Sequence, residues 1–253
     1  MFSIGSHPAW HPVFETLAYV AGYAVYRRGR DRRGDVIAEP QRWTVIASAA
    51  VGALIGSRLL GVAEQWPTVF AAYRSRHLIT LLLSPGGKTI VGGLLGGWIA
   101  VELVKRVLGI PNRTGDLFAL PLCVGIAVGR IGCFIAGMND DTFGKPTTLP
   151  WAVDFGDGIP RHPTQLYEIL FLVLLGIIVS RSANWPDGTR FRIFLASYLC
   201  WRFAIDFLKP QPLVAGMNLI QWACVAGLTA LALQFLNDLR LSRRKALAHA
   251  AIA

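Results

Sequence analysis

Acidic side chains are scarce in this chain: 15 Asp and Glu stand against 25 Lys and Arg among 253 residues, and charged residues of both signs make up only 16%. A soluble domain carries about 25% charged residues. So little charge beside 53% hydrophobic content excludes an ordinary water-soluble fold and predicts an integral membrane protein. Cysteine is sparse too. Cys123, Cys133, Cys200 and Cys224 each fall in an apolar run, without the close pairing of a metal or redox motif. They read as packing residues, and neither a metal nor a cofactor is expected. The first twelve residues hold no Lys or Arg, and arginines follow the first apolar run, the reverse of a cleavable signal peptide. Internal repeats and low-complexity tracts are missing. A net charge of +10 would suit nucleic acid in a soluble protein. In a membrane protein it reflects cytoplasmic loops facing anionic lipid, so no nucleic-acid partner is expected.

What is present is a series of apolar segments, at about 12–26, 44–62, 90–110, 116–136, 165–181, 190–208 and 215–236. Most approach the ~20 residues that cross the hydrocarbon core. The pattern predicts an all-α polytopic membrane protein with seven transmembrane helices. With the N-terminus outside, sixteen basic residues fall in cytoplasmic segments, six fall outside, and three (Arg58, Arg130 and Arg202) lie within spans. That asymmetry predicts an N-out, C-in layout. The whole of 1–253 reads as a single membrane domain with two additions. A segment at about 63–89 contains the apolar run Leu78 to Leu83 and then Ser84-Pro85-Gly86-Gly87. It is too short to span and reads as interfacial or re-entrant. An outer loop at about 138–164 holds Asp140, Asp141, Asp154, Asp157, Arg161 and His162 and reads as a lid, because long loops in compact proteins are commonly functional. Trp151 and Phe155 predict that this loop is ordered at the outer interface.

Arg130 stands in the middle of an apolar run, Gly125 to Gly137. An arginine at the centre of a membrane helix costs roughly 2.5–3.5 kcal/mol on insertion scales, and it cannot shed its proton. Something anionic must meet it, either an acidic side chain or a lipid phosphate. Tyr198, Arg202 and Asp206 recur every four residues and share one helix face, which permits an Arg202–Asp206 ion pair. Glu102 and Arg106 have the same spacing and predict a structural pair. Gly92-Gly93-Leu-Leu-Gly96-Gly97 and Gly125-x-x-x-Gly129 are small-residue patterns for close helix packing, and they would equally bare the backbone to a ligand. Arg161-His162-Pro163-Thr164-Gln165-Leu166-Tyr167-Glu168 sets a dense polar cluster at the start of the fifth segment, with proline where a helix start accepts it.

Taken together, Val91-Gly92-Gly93-Leu94, Gly129-Arg130-Ile131-Gly132-Cys133-Phe134, the Arg161–Glu168 block and Tyr198-x-x-x-Arg202 resemble the prolipoprotein diacylglyceryl transferase family, over about residues 12–236. The resemblance implies a bacterial cytoplasmic (inner) membrane enzyme. It would move a diacylglyceryl group from phosphatidylglycerol to the lipobox cysteine thiol of a prolipoprotein and release glycerol phosphate. By the same resemblance Arg130 and Arg202 would clamp the phosphate, Tyr198 would donate a hydrogen bond to the head group, and Arg58 would widen the positive field. Gly92, Gly93, Gly129, Gly132, Arg161, Gln165, Tyr167 and Glu168 would line the substrate site. The chain departs from the family where Val91 replaces the usual histidine before Gly-Gly-Leu and Cys133 replaces the usual asparagine. The family's acid-x-x-Gly aligns with Asp141-Thr142-Phe143-Gly144 only after a three-residue insertion. His162 or Asp141 would then stand in as base. Transfer to another acceptor, and lipid binding or transport without catalysis, remain open at this point.

Overall fold

The computed structural model of the protein describes residues 2–4, 7–34, 37, 39–65, 87–140, 142–182, 185–210 and 213–250. Each of the seven apolar segments becomes a helix: α1 (Trp10–Arg33), α2 (Glu39–Glu64), α3 (Ile90–Val107), α4 (Asp116–Ala136), α5 (Thr164–Ser180), α6 (Thr189–Ile205) and α7 (Leu219–Ala250). The first is longer than its apolar run suggests, because its last turns are the basic stretch after Tyr26. The interfacial segment expected at 63–89 falls largely on residues 66–86, outside the described residues.

Local chemistry sets the helix starts. Thr89 caps α3, its hydroxyl accepting from the Gly92 amide at 3.2 Å, as a threonine cap does. The first acid of α4 works at another helix: Asp116 accepts from the amides of Gly188 at 2.7 Å and Phe191 at 3.0 Å, satisfying donors left free at the start of α6.

Two helix pairs pack backbone to backbone. Between α2 and α3, a side chain at Gly56 would stand 2.3 Å from the Gly92 carbonyl oxygen, and one at Gly96 would stand 2.3 Å from that of Gly52. Between α1 and α4, a side chain at Gly132 would stand 2.6 Å from Phe14 Cβ. The small-residue stripes are therefore contact seams. The main core lies among α3 to α7, where Leu94, Ala119, Leu172, Phe194, Leu195, Leu199 and Cys224 are buried. Outward-facing positions are apolar as well: Tyr19, Val20, Leu54, Leu59 and Leu170 are exposed, the reverse of a water-soluble bundle. By length and composition Glu39–Glu64, Asp116–Asp140 and Leu219–Arg244 suffice to cross a membrane, and Thr164–Ser180 is a shorter apolar helix.

The structure is helical throughout its core, as expected, with one small addition. The segment between α4 and α5, with the N-terminal residues, forms a small sheet in which β1 (Phe2–Ser3) runs parallel to β2 (Val153–Asp154), and β2 pairs antiparallel with β3 (Pro160–Arg161). Phe143, Val153 and fully buried Phe155 pack beneath it with Ile4, Phe134 and Met138. Trp151 stays half exposed. The segment is thus an ordered cap with its own core.

At the other end of the helices, Asp238 of α7 takes Arg113 at 2.5 Å and also pairs with Arg192 of α6. Glu102 pairs with Lys105 at 3.3 Å, which corrects the expected Glu102–Arg106 pair. The i+3 neighbour supplies the ammonium.

Candidate functional site: a buried arginine and carboxylate centre

The anion that meets Arg130 is a side chain. Glu168, one turn into α5, lies with Oε2 at 2.9 Å from Arg130 Nε and 3.8 Å from Arg202 Nη1. Its other oxygen accepts from the Tyr198 hydroxyl at 2.6 Å. Tyr198, expected to donate to a lipid head group, therefore spends its proton on Glu168 and is fully buried. Arg202 reaches back one turn to Asp206, Nε to Oδ1 at 3.0 Å, so the Arg202–Asp206 pair coexists with the Glu168 contact. Asp206 also faces Lys209 at 3.9 Å and accepts from Asn218 Nδ2 at 3.3 Å.

The geometry within this cluster is close but imperfectly aligned. Arg130 Nε, Arg202 Nε and Asp206 Oδ1 sit at ion-pair distance, yet none has a hydrogen bond of good direction. The charge is unequal too. Arg130, Arg202 and Lys209 are buried cations, whereas Glu168 and Asp206 are the buried anions, so the set carries one positive charge too many. Burial, with the nearby Arg202 and Arg130 charges, draws the Lys209 ammonium down to about 7. That is the expected response of a lysine placed among uncompensated cations. Glu64, at the end of α2, is a further acid beside this set: burial acts on it first, then Arg202 and Lys209, and although the residue as a whole is half-buried, its Oε1 is buried without a hydrogen-bond partner among the described residues.

The other expected site residues divide into separate places. Gln165 donates to the Thr142 hydroxyl at 3.1 Å, and its own Oε1 is buried without a hydrogen-bond partner among the described residues. His162 Nδ1 lies 3.3 Å from the Tyr167 hydroxyl, which accepts from Trp151 Nε1 at 2.7 Å. Arg161 pairs with Asp157 and lies over the Phe143 ring, 5.0 Å from its centroid. These residues tie the cap to the start of α5. Gly92 and Gly132 are occupied in helix packing, as above, while Gly93 and Gly129 have only ordinary contacts, Gly129 with Ala18 Cβ at 3.8 Å. Arg58 is half-buried on α2. Val91 is 1% exposed and belongs to the main core. Asp141 lies outside the described residues.

Sequence reasoning missed a second cluster beside the first. Cys133, expected to be packing, lies with Sγ 3.7 Å from Arg130 Nη1 and 3.9 Å from His11 Nε2. His11 in turn faces Asp140 Oδ1 at 3.1 Å, and Asp140 Oδ2 accepts from the Thr142 hydroxyl at 2.5 Å. Cys123 and Cys224 are buried in the main core as packing residues.

An apolar groove of about 350 Å³ runs between α4 and α5, lined among others by Leu120, Val124, Val128, Val173 and Ile177. It lies on the two helices that carry Arg130 and Glu168.

These features are those of a helical membrane protein with a positively biased charge centre buried between helices, beside an apolar groove. The chain belongs to the prolipoprotein diacylglyceryl transferase family, whose model matches residues 1–236. Among its relatives, a protein of Geobacter sulfurreducens named phosphatidylglycerol–prolipoprotein diacylglyceryl transferase is 34% identical over 218 residues, covering 82% of this chain and 80% of its own. Proteins of the same name from Bordetella parapertussis and Methylococcus capsulatus are 34% and 32% identical, and each alignment covers more than four fifths of both chains.

Proposed function

We propose that this protein transfers the diacylglyceryl group of phosphatidylglycerol to the lipobox cysteine thiol of a prolipoprotein. It would act as a single membrane domain of seven spans, N-terminus out and C-terminus in, in the bacterial cytoplasmic (inner) membrane. The layout is supported by charge at the two ends. Arg27, Arg28, Arg30, Arg32, Arg42, Lys105, Arg106, Arg113, Arg181, Arg190 and Arg192 lie at the helix ends away from the cap, whereas Lys88, Lys145, Arg161 and Lys209 lie at the cap end. The family and the names of its relatives supply the substrates.

The observation that carries the reading is the buried set of three cations, Arg130, Arg202 and Lys209, against two anions, Glu168 and Asp206, whose surplus rests on Lys209, poised at about 7 and fully charged once an anion joins it. A phosphatidylglycerol phosphodiester brings one negative charge and completes the balance. The misaligned guanidinium contacts with Glu168 and Asp206 leave donors to turn toward it, and arginine holds phosphate through paired donors. In the reaction the acceptor sulfur forms a bond to the glycerol carbon, and the C–O bond to phosphate breaks with its electron pair on oxygen. The leaving glycerol phosphate gains negative charge as that bond breaks. Cations already fixed in a dry site stabilise this charge without reorganising. Glu168 keeps the arginines apart and oriented when lipid is absent. The α4–α5 groove suits one acyl chain.

The test is direct. Purified protein is incubated with phosphatidylglycerol and a lipobox-cysteine peptide, and the peptide should gain the mass of one diacylglyceryl group. An unmodified peptide would sink the proposal, and phosphatidylglycerol that co-purifies without transfer would favour a lipid-binding protein. Buried Val91 supports a second reading, in which another acceptor replaces the prolipoprotein. It predicts transfer to a different thiol or hydroxyl with the peptide left untouched.

A further inference from the structure

Val91 cannot take a proton, so the acceptor thiol needs another source of activation, and the second cluster has the composition for one. His11 Nε2, Cys133 Sγ and a carboxylate oxygen of Asp140 come from α1, from α4 and from the short turn that ends α4, yet they all lie within 4.8 Å of one another. The packing brings them there. Gly132 lets α1 approach α4 so closely that Phe14 and the His11 carbonyl lie over it, and His11 meets the neighbouring Cys133 across 122 residues of chain.

We propose that His11, Cys133 and Asp140 bind a zinc ion whose open fourth position takes the acceptor thiol as a thiolate. Three protein ligands of nitrogen, sulfur and oxygen type with one open position are the pattern of catalytic rather than structural zinc. Bond lengths of ~2.3 Å to sulfur and ~2.0–2.2 Å to nitrogen and oxygen set tetrahedral edges of about 3.4–3.6 Å. The observed S–N and N–O separations are 3.9 and 3.1 Å, within a few tenths of an ångström of those edges, and the S–O edge, within 4.8 Å, closes as the ion draws the ligands in. Asp140 is already oriented from behind by the Thr142 hydroxyl, and Thr142 is itself held by Gln165. Such outer partners are a regular feature of built metal sites. His11 is the exposed edge, with 38% of its side chain accessible against 12% for Asp140, which leaves an approach for a ligand.

The charges agree as well. Zinc with one thiolate and one carboxylate is neutral, so the metal alone leaves the neighbouring charge centre as it is, and the acceptor thiolate then adds one negative charge on the side of Arg130, 3.7 Å from Cys133. The role of the metal rests on the transfer reaction proposed above. The incoming thiol would lose its proton to water on binding zinc. Its sulfur lone pair would then form the C–S bond while the C–O bond breaks toward phosphate. The proton and the glycerol phosphate account for what the thioether product lacks. Cys133 stays bound to the metal and is not consumed.

Metal binding can be read without turnover. Full-length protein, freed of any affinity tag and of metal, is titrated with Co²⁺ and with Zn²⁺ in lipid nanodiscs. One equivalent should bind, with a sulfur-to-cobalt charge-transfer band that Cys133→Ser abolishes. Thr142→Val, which keeps all three ligands and removes the hydroxyl that joins Asp140 to Gln165, should weaken zinc by about 10–100-fold and so reports on the site even if Cys133→Ser fails to fold. Absence of stoichiometric binding, or a band that survives in folded Cys133→Ser, would overturn the site. In the lipobox assay, chelated protein should lose transfer at least tenfold and recover it with Zn²⁺. Equal rates with and without zinc would overturn the catalytic role. Zinc binding without transfer under any condition would leave the metal site standing and defeat the proposed reaction instead.

Discussion

Charge clusters at the two ends of the bundle use the same chemistry and differ in burial. At the cap end, Glu168 and Asp206 meet Arg130 and Arg202 with side-chain exposures of 9% or less. At the far end, Asp238 meets Arg113 and Arg192 with exposures of 22–30%. From Asn218, which donates to Asp206, to Asp238 is 20 residues, or about 30 Å of helix at 1.5 Å per residue, close to the thickness of a hydrocarbon core. The far cluster has water near it and a shared carboxylate in a forgiving medium, so it contributes little to stability. The cap-end cluster is costly to maintain. Removing charges from water costs several kcal/mol per ion, and a hydrophobic set of equal volume would commonly do as well. Its retention with a surplus cation points to a ligand rather than to stability.

Glu168→Gln attacks that contrast hardest. It keeps the shape and leaves two buried guanidiniums without their shared anion, which should cost about 3–5 kcal/mol, seen as a lower unfolding temperature in detergent. Phosphatidylglycerol should restore more of that loss than phosphatidylcholine does, because an anionic phosphate can replace the missing carboxylate. A variant as stable as the parent, or one equally helped by both lipids, would show that Glu168 is no stand-in for the lipid. Arg130→Gln should have a smaller effect on folding, since Glu168 keeps Arg202 at 3.8 Å and the Tyr198 hydroxyl at 2.6 Å. Its transfer rate should fall about 10²–10³-fold, the size of losing one transition-state donor.

Lys209 sharpens the comparison through pH. Its ammonium is depressed to about 7 by burial and by Arg202 and Arg130, against about 10.4 in an unfolded chain. Between those values the unfolded state binds more protons, so stability contributed by this residue rises with pH. It is fully present above the unfolded value and lost as pH falls through about 7. Anion binding runs the other way, since the charged lysine favours it. Affinity for phosphatidylglycerol, whose phosphodiester keeps one charge across this range, should fall by about tenfold as pH climbs from 6 to 8, one decade for roughly one pKa unit of coupling. Lys209→Met should flatten both curves, and unchanged slopes would remove Lys209 from the anion site.

Helices were legible because each has a long apolar run, and the start of α4 at Asp116 and the end of α5 near Ser180 agree with the segments read from hydropathy. The need of Arg130 for an anion was legible from cost alone, though not the choice of Glu168, 38 residues away. The sheet left no trace, since two-residue strands are too short to show alternation and β1 finds its partner about 150 residues along the chain. Cys133 was read as packing because metal motifs are recognised by local spacing, and its partners His11 and Asp140 come from opposite sides of it in sequence. Lys209 follows the sixth apolar segment directly, where a basic residue passes for one of the six outside the spans. Its i+3 spacing from Asp206 and i+7 spacing from Arg202 were the available signal, placing it on the face those residues share.

The smallest expected effect belongs to the far end. Asp238→Asn strips the carboxylate shared by Arg113 and Arg192. Half-exposed ion pairs are worth about 0–1 kcal/mol, and here one carboxylate already serves two guanidiniums that also reach water. The Arg192 guanidinium keeps its place over the Phe235 ring, 5.7 Å from the centroid, which limits the loss further. Unfolding should shift by no more than about 1 kcal/mol, and transfer should stay within about twofold. Added salt should shrink the difference between variant and parent, because screening acts on exposed charges and spares buried ones. A large, salt-independent loss of activity would mean that the far end communicates with the arginine centre, and the division of labour between the two ends would then have to be redrawn.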